Sequence, residues 1–174
     1  MKRWIKILII ALATPIVIVI LIISIWIVMN WQGVIDPYQV GDPKAQCKVL
    51  IASQGSKFKN KLLTELVQQL QSDKKYISII DVTSLEKENV SDWNAIVIIH
   101  TTQAHHMPKS VKNYLKKFTN LSKVILIATS GGGDELVTEF EVDAISTASR
   151  LDVTDQIVES IILKVDEILI NQTY

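Results

Sequence analysis

The chain is poor in several features that would assign it to a class at once. Among its 174 residues there is one cysteine, Cys47, so no internal disulfide can form, and the residue is compatible with any redox compartment. Six glycines and four prolines form no low-complexity tract and no repeat of fixed period. Net charge is also missing: 18 basic groups face 18 acidic ones, which leaves no bulk basicity for a nucleic-acid binder. There is no Gly-x-x-x-x-Gly-Lys-Ser/Thr loop to support nucleoside triphosphate hydrolysis. Ser53, Ser130 and Ser149 lack the Gly-x-Ser-x-Gly setting of a strained nucleophile elbow.

What the chain does have is hydrophobicity, 48% of residues, and an uneven distribution of charge. Lys2, Arg3 and Lys6 place three positive charges in the first six residues; the other 15 basic groups then face all 18 acids. Ile7 to Met29 follow without a single charge. As a helix rising about 1.5 Å per residue, that run spans roughly 34 Å, enough for a hydrocarbon core of about 30 Å. Thr14, Pro15 and Ser24 interrupt it, while Trp4 on one side and Trp26 and Trp31 on the other suit the headgroup regions. A cleaved signal peptide competes with this reading, but its apolar region is usually only about 7 to 15 residues long. No small-x-small pair follows neatly, and Cys47 has no lipobox-like residues before it. The run therefore reads as an uncleaved signal anchor. Residues 1–6 form a basic cytoplasmic tail and 7–29 a transmembrane helix in the lipid bilayer. Positive charge precedes the helix and the next charge is Asp36, so the remaining chain is expected outside the cytoplasm.

Gly33, Asp36-Pro37 and Gly41-Asp42-Pro43 punctuate residues 30–46, which read as a linker. From residue 47 to 174 apolar runs alternate with segments of helical period. Lys48 to Ser53, Tyr76 to Val82, Asn94 to Ile99 and Lys123 to Thr129 read as strands, with a weaker fifth at Val142 to Ser146. Phe58, Leu62, Leu66 and Leu70 make one helix face within 58–72, and a short helix of about one turn lies around Leu85. Val111, Tyr114, Leu115 and Phe118 mark a helix after Pro108. Ile157, Val158, Ile161, Ile162 and Val165 mark the last one, with Asp152 or Thr154 as a possible cap. Strands that are apolar throughout, separated by amphipathic helices, indicate a parallel sheet covered on both faces.

In such sheets ligands bind beyond the carboxyl ends of the strands. Those ends are Ser53 to Ser56, Asp81 to Thr83, His100 to Gln103, Thr129 to Gly133 and Ser146 to Arg150. Hydroxyls and glycines ahead of helix amino termini suit phosphate; turn residues are the plainer reading. His100, His105 and His106 fall together at this end. A structural metal site usually needs about four ligands, so Asp134 or Asp81 would have to join; no metal is expected. Charge divides as well: residues 44–123 hold 13 basic and 6 acidic groups, residues 124–174 only 2 and 10. Lysines from 109 to 123 could lean toward anionic lipid or a partner, although a solvated helix face explains them.

The stretch Asp92-Trp93-Asn94-Ala95-Ile96-Val97-Ile98-Ile99, the helix start Met107-Pro108-Lys109, and Lys123-Val124-Ile125-Leu126-Ile127-Ala128-Thr129-Ser130-Gly131-Gly132 together resemble flavodoxin-like domains. The resemblance covers residues 48 to about 170. It implies a three-layer α/β sandwich with a five-stranded parallel sheet of order 2-1-3-4-5, and FMN as cofactor. Carried onto this chain, it implies FMN contacts at Ser53, Gly55, Ser56 and Lys57 in the first loop, Thr101 and Thr102 in the third, and Thr129, Ser130 and Gly131 in the fourth. Lys59 would add charge. The family's Ser-x-Thr-Gly-x-Thr pattern is eroded here, with Phe58 about where a hydroxyl belongs, and no Trp or Tyr follows the third or fourth strand for stacking on the flavin. Two functions stay open. One is electron transfer at the membrane through FMN with a membrane redox partner; the other is a cofactor-free envelope binding or scaffolding module.

Overall fold

The computed structural model describes residues 3–30, 32–71, 75–103, 105–133 and 139–172, in two compact units, Met1–Gln32 and Gly33–Tyr174. Lys2 of the basic flank, Trp31 of the aromatic boundary, Ser72 at a helix end and Asp134 as a metal ligand lie outside the described residues.

The first unit is helix α1, Arg3–Asn30. Its two polar interruptions are satisfied internally: Thr14 Oγ1 donates to the Ile10 carbonyl at 2.7 Å and Ser24 Oγ to the Ile20 carbonyl at 2.8 Å. That removes the cost of carrying bare hydroxyls into an apolar medium. Leu12, Ile16, Ile22 and Val28 are exposed, so apolar side chains lie on every side of the helix. It is one helix long and apolar enough to cross a membrane.

The second unit is built on a sheet of β1 (Tyr38–Val40), β2 (Lys48–Ser53), β3 (Tyr76–Asp81), β4 (Ala95–Thr101), β5 (Val124–Ser130) and β6 (Asp143–Ala148). Their order in space is β1-β3-β2-β4-β5-β6. This corrects the expected count and order, because the sheet has six strands and is mixed. β1 pairs antiparallel with β3, Tyr38 opposite Ile79 and Val40 opposite Ile77, whereas the five later strands pair parallel. Counted alone, those five are wound as in flavodoxin-like sheets. β1 escapes a periodicity argument because three residues between prolines are too few to show a period of two. Gly41 lets the chain turn after it: its φ is +90°, and a Cβ there would stand 2.3 Å from the Lys75 carbonyl oxygen.

Alternation along the strands feeds two cores. Val49, Ile51, Val97, Ile99, Ile125 and Ile127 face helices α2 (Lys57–Gln71) and α4 (Thr154–Asn171), which bury Leu62, Leu66, Val158 and Ile161. Leu50, Ala52, Ile96, Ile98, Val124 and Leu126 face the other way. There they meet Val82 and Leu85 from a 3-10 helix, Val82–Lys87, and Val111, Tyr114 and Leu115 from helix α3, Lys109–Leu115. Layers of helix, sheet and helix follow directly from strands apolar on both faces. Neither expected cap serves α4. Asp152 instead pairs with Arg150, and Thr154 Oγ1 donates back to the Leu151 carbonyl at 2.9 Å.

Candidate functional site

The carboxyl ends of the parallel strands collect the predicted polar residues, but most are committed to partners within the chain. Ser53 ends β2 fully buried, and its Oγ donates to the Gln54 carbonyl at 3.1 Å. Gln54 extends the ladder, its N–H reaching the Ile99 carbonyl at 3.2 Å, and its side-chain Oε1 accepts the Thr101 N–H at 2.7 Å. Ser56 caps α2: its Oγ accepts the Lys59 N–H at 3.2 Å, three residues on, which satisfies one of the open amides of the first turn. Lys57 points to solvent.

Gly55 is occupied by its own chain. Its N–H donates to the Gly33 carbonyl and the Gly33 N–H donates to the Gly55 carbonyl, each at 2.6 Å. The contact needs glycine, since a Cβ on Gly55 would stand 2.8 Å from the Gly33 carbonyl carbon. Two residues along, the Ile35 N–H donates to Asp81 Oδ2 at 3.1 Å. Asp81 Oδ1 takes the Thr83 N–H at 2.9 Å, so one carboxylate ends β3, caps the following 3-10 helix and holds the segment before β1.

Beneath this lies a polar chain inside the core. Lys59 is only 1% exposed, and its Nζ donates to Thr101 Oγ1. Thr101 Oγ1 is 3.3 Å from Thr129 Oγ1, which donates to the His100 carbonyl at 3.0 Å. Because a hydroxyl has one proton, the direction is set as Lys59 to Thr101 to Thr129 to His100. Burial lowers the Lys59 ammonium to about 8. His100 is fully buried on the opposite face of β4, neither ring nitrogen meets a hydrogen-bond partner among the described residues, and burial lowers it to about 4, so its imidazole is neutral at pH 7.

The remaining predicted residues are divided. Thr102 is buried and its Oγ1 has no partner among the described residues. Ser130 Oγ accepts the Gly133 N–H at 2.8 Å, and its carbonyl accepts the Ser149 N–H at 3.0 Å, tying the fourth and fifth strand ends together. Gly131 is exposed, and a Cβ there would meet nothing within 4 Å, so no close approach demands glycine at that position. The three histidines are not brought together: His100 is inside, His105 and His106 are on the surface. Among the described residues no group of three His, Cys, Asp or Glu side chains is placed to hold a metal. Sequence reasoning missed Gly33, Ile35 and the Gln54 amide. A lone glycine in an aperiodic segment gives no signal of the residue it will pair with.

These partners decide how a flavin phosphate would fare. Such a group needs backbone N–H and hydroxyl donors converging on one point ahead of a helix. Here the Gly55 N–H is spent on Gly33, the Ser53 proton on Gln54 and the Ser56 oxygen on its own helix. The loop as folded does not fit the group. Three surface recesses among the described residues lie around Thr119–Ser122 with Glu141–Asp143, around Pro37–Gln39 with Ser78–Ile80, and around Val34–Asp36 with Asn60 and Thr64; these three are not lined by the predicted FMN residues.

No protein-family model matches the chain, and no curated protein matches it. Among solved structures it is similar to two point mutants of a flavo di-iron protein from Thermotoga maritima, each with a TM-score of 0.49 at 17% and 18% identity. The match covers 74% of this chain and 37% and 36% of those, so the chain spans about a third of their length. It is also similar to an oxidoreductase from Corynebacterium diphtheriae, with a TM-score of 0.47 at 12% identity, covering 72% of this chain and 96% of that one.

Proposed function

We propose that this protein is a membrane-tethered α/β module that binds or scaffolds a partner at the cell envelope, and that its flavodoxin-like sheet carries no flavin. The observation that supports this most is the closure of the first loop, where Gly55 gives both of its backbone groups to Gly33. The hydroxyls that would surround a phosphate serve instead as a helix cap, a turn and an internal relay from Lys59. The anchor supports the same reading. With Lys2, Arg3 and Lys6 all ahead of the charge-free run Ile7 to Met29, the domain faces outward, where a flavin would have to be acquired outside the cytoplasm.

The competing reading is FMN-dependent electron transfer with a membrane redox partner. It draws on the polar strand ends, Thr101, Thr129 and Ser130 above all. Were FMN held there, those residues together with Ser53, Gly55 and Ser56 would surround it, and the flavin would supply the redox chemistry. Titrating the full-length protein in detergent with FMN separates the two. A colourless protein that leaves flavin fluorescence unquenched is the expected result. A stoichiometric visible flavin spectrum would overturn the proposal and restore the redox reading.

A further inference from the structure

We propose that residues 33–40 are an autoinhibitory strap, a segment of the chain docked across the strand ends so that the first loop is closed to any ligand. Three attachments hold it: the reciprocal Gly33–Gly55 bonds, the Ile35 N–H on Asp81, and the antiparallel pairing of Tyr38–Val40 with Ile77–Ile79. The strap therefore crosses the end of β2, then the end of β3, and continues as the edge strand.

Its attachment is specific but light. Ile35 and Val40 pack on the α2–α4 core, whereas Val34 is 77% exposed and Asp36, Pro37 and Gln39 are also exposed. A segment that buries little apolar area and hangs on a few hydrogen bonds opens locally while the core stays folded. Docked, it consumes the Gly55 N–H; lifted, it returns that amide and its carbonyl to solvent. Gly55 is what makes the docking possible, because any side chain there collides with the Gly33 backbone. The inference goes beyond the cofactor-free reading, since it makes closure a reversible property of residues 33–40 and not a permanent feature of the sheet.

Hydrogen exchange on the full-length protein in detergent, read on peptides covering residues 33–40, tests it. Wild-type protein should exchange there at least roughly tenfold more slowly than a free chain. Gly55→Ala, which pushes the strap off from the loop side, and Gly33→Pro, which deletes a donor on the strap itself, should each abolish most of that protection. Peptides from β4 and β5 should be unchanged in both. Free-chain exchange of the strap in wild-type protein, or undiminished protection in both variants, overturns the strap. If the strap fails while flavin still does not bind, the cofactor-free reading stands; flavin bound to wild-type protein with the strap still protected overturns both.

Discussion

Lys59, on the first turn of α2, donates its ammonium proton to the hydroxyl of Thr101 at the end of β4 from a position that is 1% exposed. A cation in that place is stabilised by hydroxyl dipoles at considerable desolvation cost, and the cost appears as a lowered pKa. Such a residue is an internal strut, and its energetics are measurable.

The lysine ionises at about 8 in the folded chain against about 10.5 when unfolded. Between those values the unfolded chain holds a proton that the folded chain has released, so stability rises with pH across the window and is lost again as pH falls to 8. Integrated, this is on the order of 3 kcal/mol. Denaturant midpoints measured from pH 7 to 10.5 should climb in the wild type, and the climb should vanish in Lys59→Met. That variant should also be more stable at pH 7, by an amount up to about 3 kcal/mol. Parallel pH profiles for the two proteins would contradict this.

His100 acts in the same sense at lower pH. Its folded value of about 4 lies below the ordinary 6.5, so its contribution is complete above 6.5 and is lost as pH falls toward 4. Acid unfolding followed by near-ultraviolet circular dichroism should therefore begin near pH 6. In His100→Leu the onset should move down by roughly one pH unit or more, because no buried imidazole must then be charged.

Tyr114 is fully buried and its hydroxyl has no partner among the described residues. An unsatisfied buried hydroxyl costs about 1 to 3 kcal/mol, so Tyr114→Phe should be neutral or stabilising by up to about that amount. The ring itself must stay, since it meets Phe118 edge to face with centroids 5.2 Å apart. Tyr114→Ala should lose about 3 to 5 kcal/mol, as aromatic truncations in cores do. A clear loss of stability in the phenylalanine variant would show that the hydroxyl is satisfied in solution.

Gly41 and Gly133 are held at positive φ, with backbone atoms of Lys75 and Ala148 where a Cβ would go. Alanine at either should cost about 1 to 3 kcal/mol. The consequences should be local and different. Gly41→Ala should raise proteolysis of residues 33–40, and Gly133→Ala should raise it around Ser149. Equal global loosening in both would argue against separate edge elements.

The charge distribution around α1 predicts sidedness. A tag at the carboxyl terminus should be digested by protease added to intact cells or spheroplasts, while a tag at the amino terminus should be protected. The reverse pattern would place the domain in the cytoplasm. Moving the charge by Lys2→Glu, Arg3→Glu and Lys6→Glu together should weaken the orientation, because positive flanks hold the cytoplasmic end.

Some of this was written in the order of residues alone. The charge-free run from Ile7 to Met29 marks a helix long and apolar enough to cross a membrane, and short β-branched runs such as Ile96 to Ile99, set between segments of helical period, mark strands buried on both faces; local composition carries both. The polar strand ends were likewise legible, because parallel topology brings every carboxyl end to one edge. What those residues do was decided only in three dimensions. Whether Ser56 meets a ligand or its own helix, whether Lys59 reaches solvent or Thr101, and that Gly33 lies against Gly55 are facts about pairs distant in sequence. Hydrogen-bond donors are spent on whichever acceptor the fold brings nearest, and no periodicity in the chain encodes that choice.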